Sequence, residues 1–262
     1  MIARNELINT LRDVLRIDGS LNAADRLICM SEILKETCAA EGVDAEKISV
    51  LGNRVDTARF RPADGRPNSP GLIRALFIGR LEEQKNLHGV TAALAGLRRR
   101  GWAVHIDICG GYGMNEYLRN AVRCLKRCEY TYHAAVVNRR LPALYQRADM
   151  YVGPSFFEGF QIPLIEALAC GTPCVASDQP PANEILTHEV AELVDPEDHD
   201  SIREGIERMK RRLNAPAHGR AIRQACRAHA MERWDTSLVS RIEAAIYLRA
   251  IEEHAKCRSR AA

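Results

Sequence analysis

Glu158 and Glu166 stand eight residues apart, with Gly159 and Pro163 between them. Proline has a fixed φ and no backbone N–H, so Pro163 suits the first position of a helix; 159–162 is then the loop and Glu166 falls in the first helical turn. Two carboxylates therefore bracket a helix amino-terminus. The free N–H groups there can hold a phosphate, and each carboxylate can accept two hydrogen bonds, which suits the vicinal hydroxyls of a ribose or a sugar. The plainer reading is that both acids favour the positive helix end. A second charged stretch, Gly79-Arg80-Leu81-Glu82-Glu83-Gln84-Lys85-Asn86, ends an apolar run with glycine and sets two cations five residues apart before a helix. Arg80 can span two phosphate oxygens with its planar fork, and Lys85 supplies a mobile point charge. The alternative is a solvated turn with Arg80 paired to Glu82 or Glu83. A third loop, Gly110-Gly111-Tyr112-Gly113, lets backbone approach a ligand closely. Its glycines are too close together for the G-x-G-x-x-G dinucleotide fingerprint, which points away from a dehydrogenase.

These loops need a scaffold that gathers them at one edge. The sequence alternates strands at 75–78, 104–109, 132–137, 150–153, 174–177 and 191–194 with helices at about 86–99, 114–127, 141–148, 163–170 and 182–186. Nearly all-apolar strands in such a βα series imply an α/β fold: a doubly wound, Rossmann-like parallel sheet covered on both faces, with ligands beyond the carboxyl ends of its strands. Before it, residues 2–17 have helical spacing, 27–30 is a strand, Ser31 is the N-cap of a helix through Ala40 with Gly42 as terminator, and 48–51 is a second strand. The Pro- and Gly-rich stretch 61–70 reads as a linker. After Asp195-Pro196 the pattern is helical to the end, with breaks near 214–218 and 234–235.

Composition narrows the function. With 262 residues, 46% hydrophobic and 27% charged, the chain is neither disordered nor fibrous. A net charge of +3, from 37 basic against 34 acidic residues, is too even for a dedicated nucleic-acid domain. Arg4, Glu6, Arg12 and Asp13 interrupt any signal segment, and no apolar run approaches a membrane span. The nine cysteines include no C-x-x-C pair and no His cluster completes a tetrahedral site, so no structural metal is expected; no cofactor is expected either. A cytoplasmic protein, at most peripheral at the membrane, fits this pattern.

In these motifs the sequence resembles retaining glycosyltransferases of the GT-B fold, specifically glycosyltransferase family 4. Glu158 through Glu166 matches the family's E-x7-E signature; Gly79-Arg80-Leu81 with Lys85 resembles G-R-L…K; and Asn53-Arg54-Val55-Asp56 with Phe60 and Pro62 resembles the interdomain N-G-V-D…F-x-P run. Leu141-Pro142-Ala143-Leu144-Tyr145 with Ala148-Asp149, and the stretch 167–178, match as well. The resemblance implies a nucleotide diphosphate sugar as donor. It assigns Gly79, Arg80 and Lys85 to the diphosphate loop, Glu166 to the ribose hydroxyls and Glu158 to the transferred sugar. Backbone of Gly159, Phe160, Gln161, Ile162 and Leu164 would touch sugar and phosphate, and Val136, at the end of its strand, would lie near the base. Arg54 and Gln161 stand where the family usually has, or often has, glycine.

The resemblance also divides the chain: 1–60 as the remnant of an acceptor-type domain with the interdomain run, 61–235 as the donor-binding domain, and 236–262 as a helix packing back toward the N-terminal domain. Family members carry a full N-terminal domain with a catalytic His, so about 150 residues would be missing on typical domain sizes, and no His here replaces that residue. The chain alone is expected to be inactive. Its partner would be a complementary domain in trans or a second copy, with Leu7, Leu11, Val14 and Ile246 as contacts. A non-catalytic nucleotide-sugar-binding remnant or regulatory subunit is the alternative.

Overall fold

The computed structural model describes residues 20–63, 65, 70–111, 113, 115–125 and 128–261. The helix expected over 2–17, with Leu7, Leu11 and Val14, lies outside the described residues. The described chain opens with a small unit: α1 (Ser20–Ala23), β1 (Leu27–Cys29), α2 (Glu32–Ala40) and β2 (Ile48–Val50). β1 and β2 pair in parallel over a core of Cys29, Cys38, Val43 and Ile48. Ser31 occupies the N-cap position, but its hydroxyl donates to the Gly159 carbonyl (3.1 Å) and not to its own helix. The amides of Glu32 and Ile33 instead donate to the Glu184 carboxylate, at 2.8 and 3.1 Å.

The main sheet holds β3 (Leu72–Ile78), β4 (Ala103–Cys109), β5 (Glu129–His133), β6 (Met150–Gly153), β7 (Cys174–Ser177) and β8 (Ala191–Val194). All pairings are parallel, in the order β5-β4-β3-β6-β7-β8. The chain therefore winds outward from β3 to β5, returns to the other side of β3, and winds the opposite way through β6 to β8. Between the strands run α3 (Leu87–Arg99), α4 (Glu116–Val122), α5 (Leu141–Arg147), α6 (Ile162–Ala169) and α7 (Ala182–Ile185), followed by α8 (His199–Asn214), α9 (Pro216–Trp234) and α10 (Thr236–Ala261). Every residue of β6 and β7 is buried. Successive strand residues point to opposite faces, so helices cover both, as the alternation implies.

Three elements differ from expectation. β3 begins at Leu72, not 75, because the backbone of Arg74 finds partners despite its charge: its N–H donates to the Asp149 carboxylate (3.0 Å) and its carbonyl accepts from Asp149 N–H (2.8 Å). The helix expected over 114–127 is shorter, starting after the Asn115 cap and tightening at Arg123 into a 3₁₀ turn. The strand expected over 132–137 occupies Glu129–His133. It is an edge strand carrying mostly polar side chains, and the apolar run after it cannot extend because Ala135 adopts φ 46°. Val136 is accordingly not at a strand end but in the turn beyond β5.

At the amino-terminal end of the sheet Lys210 of α8, 0% exposed, donates to Asp149 Oδ2 at 2.8 Å. Removing one partner of a buried pair strands the other charge. Asp149→Ala should destabilise the chain by about 3–5 kcal/mol, measured by chemical denaturation, and Asp149→Ala combined with Lys210→Met should recover part of the loss.

The joint between the small unit and the sheet is a backbone clasp. Val55 N–H donates to the Trp234 carbonyl (2.8 Å), and Thr236 N–H donates to the Val55 carbonyl (3.1 Å). The Thr57 hydroxyl and the backbone and hydroxyl of Ser237 donate to Asp235, holding its carboxyl down to about 2. Arg54 pairs with Ser240 and Glu243, and Arg26 grips Glu253 with two nitrogens, so α10 lies along the small unit. A depressed carboxyl stabilises above its unfolded value and loses that contribution as pH falls through the folded one. Wild-type stability should therefore drop relative to Asp235→Asn between about pH 4 and pH 2, as followed by thermal melts across that range.

Candidate functional site

In an open parallel sheet a ligand lies beyond the carboxyl ends of the strands where the winding reverses, because the loops part there. Here that point falls between β3 and β6, and the loops leaving these strands carry Lys85 and Glu158. The structure brings the two together: Lys85 Nζ donates to Glu158 Oε1, with side chains only 16% and 10% exposed. Gly79 makes room for this. A Cβ on it would sit 3.3 Å from Lys85 Cγ, so the lysine stem runs over the glycine toward the acid.

The two loops are stitched together by backbone and amide groups. Gln84 Nε2 donates to the Phe157 carbonyl (2.8 Å), and Phe156 N–H donates to the Gln84 carbonyl (2.9 Å). Asn86 does more. Left-handed at φ 57°, a conformation asparagine tolerates, it caps α3 by accepting from Gly89 N–H (3.1 Å). Its buried amide donates to the carbonyls of Pro154 (3.1 Å) and Pro196 (2.7 Å), joining the loops after β3, β6 and β8.

Arg80 is exposed and paired with Glu82 (3.0 Å) and Gln84 Oε1 (3.1 Å), as the plainer reading of that turn allows. It stands at the rim of a crevice of about 600 Å³ walled by Ile78, Gly79, Gly110, Gly111, Val136 and Leu141. The walls are largely backbone and aliphatic carbon. The Cys109 thiol also lines the crevice; burial pushes it up to about 12, so it stays protonated.

The second loop departs from the expected geometry. α6 starts at Ile162, so Pro163 takes the second helical position and Glu166 the fifth, one residue deeper than expected. The cause is Gln161: its amide donates to the Gly153 carbonyl (3.0 Å) and Tyr151 Oη (3.2 Å), while its own carbonyl accepts from Leu164 N–H (3.0 Å) and closes the turn one residue early. Gln161 is thus an internal strut at 3% exposure, and Leu164 is fully buried. Ile162 is exposed, Phe160 is half-buried, and the Gly159 carbonyl is the one that accepts from Ser31. Glu166 is buried against Tyr145, whose hydroxyl donates to it at 2.7 Å. Burial holds the Glu166 carboxyl above the usual carboxylate range, opposed only in part by the Tyr145 hydrogen bond and the charge of Arg59.

Asn86, Gln84 and Tyr145 stood in the sequence motifs without a role of their own. An asparagine directly before a helical run is a cap signal, which could have singled out Asn86. The others act through contacts between residues distant in sequence, which no local pattern marks.

A six-stranded parallel sheet whose order reverses between a lysine loop and a glutamate loop defines a doubly wound, Rossmann-like α/β fold, the fold of glycosyltransferases of the GT-B class. Residues 64–222, more than half of the chain, match the family described as glycosyl transferases group 1, and the chain belongs to that family. It is 34% identical over 159 residues to the glycogen synthase of Mycobacterium tuberculosis, covering 59% of this chain and 38% of that one. The chain thus spans about two fifths of the length of that relative. Among solved structures it is similar to a glycosyltransferase from Rickettsia africae (TM-score 0.77, 16% identity, 93% of this chain and 67% of that one). It is also similar to Anabaena HepE in complex with UDP and glucose (TM-score 0.73, 19% identity, 89% and 66%). Among the described residues no helix is long and apolar enough to cross a membrane.

Tyr145→Phe removes the hydroxyl that donates to Glu166 and leaves a buried carboxylate short of a donor. The variant should lose about 1.5–3 kcal/mol at neutral pH, and less below the Glu166 titration, as read from denaturation curves at pH 7 and pH 4.

Proposed function

We propose that the chain supplies the donor side of a retaining glycosyltransferase of the family 4 type, moving a sugar from a nucleoside diphosphate to an acceptor hydroxyl. The observation that carries this is the Lys85–Glu158 pair at the reversal point, beside a crevice with Arg80 at its rim. A diphosphate entering there replaces Glu158 as the partner of Lys85. The freed carboxylate can then accept hydroxyls of the sugar. Arg80, Lys85 and the amino-terminus of α6 face the charge that builds up on the leaving diphosphate, which is where electrostatic stabilisation lowers the barrier most. Glu166, through its second oxygen, takes the ribose, and the Val136 wall takes the base. HepE, of the same fold, holds UDP and glucose, which makes UDP the first nucleotide to try.

A second reading, in which this side works only with an acceptor-binding polypeptide in trans or in a self-associated state, is favoured by Ile242, Tyr247, Leu248 and Ile251, all exposed on α10. Sugar transfer needs the acceptor held against the anomeric carbon in a dry cleft, worth about 7–11 kcal/mol in positioning.

Calorimetric titration with UDP, GDP and ADP tests the proposal. One of them should bind. Arg80→Ala should weaken it about tenfold, roughly 1.5 kcal/mol, and Lys85→Ala should weaken it further. Binding of none, or equal affinity in wild type and both variants, removes the assignment.

A further inference from the structure

The crevice wall formed by Gly110 and Gly111 has no side chains and unusual backbone, at φ 157° and 66°. Left alone, such a segment samples many conformations, since glycine is the least restrained residue. Two contacts from beyond β4 fix it. Tyr132 of β5 places its hydroxyl 2.8 Å from the Gly110 carbonyl and 2.9 Å from the Gly113 carbonyl, so one proton is shared by both ends of the loop. The Ala135 N–H donates to the Gly111 carbonyl between them (2.9 Å). The loop is also wedged from the other side, where a Cβ on Gly111 would meet Leu81 Cδ1 at 3.2 Å. The carbonyl of Leu81 is held in turn by Asn115 Nδ2 at 3.0 Å.

We infer that Tyr132 is a positioning residue for nucleoside binding: its hydroxyl clamps the ends of the glycine loop and so sets the shape of the crevice wall before ligand arrives. The inference rests on the donor-site reading, since that reading puts the nucleoside in this crevice. It separates the crevice from the charged pair. The clamp touches the wall around Gly110 and Gly111, whereas the diphosphate partners Lys85 and Glu158 lie on the other side of Gly79.

Tyr132→Phe keeps the ring and deletes only the hydroxyl. Binding of UDP, GDP and ADP and of inorganic pyrophosphate is measured by calorimetry, and amide hydrogen exchange is followed over residues 110–115. Faster exchange in that segment, with about three- to tenfold weaker binding of the nucleoside diphosphate and unchanged pyrophosphate binding, is the expected result, that being the size of one neutral hydrogen bond. Unchanged exchange overturns the clamp. Faster exchange with unchanged nucleotide affinity, or an equal loss for nucleotide and pyrophosphate, makes Tyr132 a stabilising residue and also overturns the inference. A wild-type chain that binds pyrophosphate but no nucleotide refutes the nucleoside crevice with it. Failure of wild type to bind either ligand instead removes the donor-site reading on which it stands.

Discussion

One buried amide sets how the lysine and glutamate loops meet beside the crevice. The loops after β3, β6 and β8 leave strands that are hydrogen-bonded only along their lengths, and nothing in a parallel sheet fixes how its loops meet above it. Asn86 does so with a single side chain, accepting at the start of α3 and donating to two proline carbonyls. Proline residues free the loops from helix and strand geometry, but their carbonyls still need donors once buried. The left-handed backbone of Asn86 aims one short side chain at all three partners. Gln84, two residues earlier, then falls opposite Phe156 and Phe157, and Lys85, between the two, falls opposite Glu158.

With that frame in place, each charge at the crevice has an internal partner. Lys85 meets Glu158, Arg80 meets Glu82, and Glu166 meets the Tyr145 hydroxyl. A ligand is thus exchanged for existing contacts and gains only the difference. On the proposed donor reading, an inorganic anion that drew Lys85 away would leave Glu158 without a partner, whereas a sugar-bearing diphosphate would bring hydroxyls to it.

Much of this architecture was legible in the sequence because burial on both faces leaves near-continuous apolar strands, and β6 and β7 fall where such runs predict. The same rule misplaces β5. As an edge strand it needs little apolar surface, while the apolar Ala134–Val137 run belongs to the crevice turn. Glu158 and Lys85 were readable from loop chemistry, yet their mutual pairing was not, because 73 residues separate them and only the sheet order brings them close. Glu166 lies one position deeper in α6 than expected, since the helix begins at Ile162, and its pairing with the Tyr145 hydroxyl, 21 residues away, carries no local sequence signal.

The floor where Gly79 meets Gly110 has a consequence for how this fold can change. A Cβ at 110 would sit 1.9 Å from the Gly79 carbonyl, so the two loops touch backbone to backbone and no other residue can be accommodated there. That side of the crevice is closed to variation by substitution. On the proposed reading, in which the crevice takes the base, a change of base preference falls to the facing turn, where Val136, Val137 and Leu141 present side chains. Invention is thus channelled to one lip of the crevice while the other stays a fixed template.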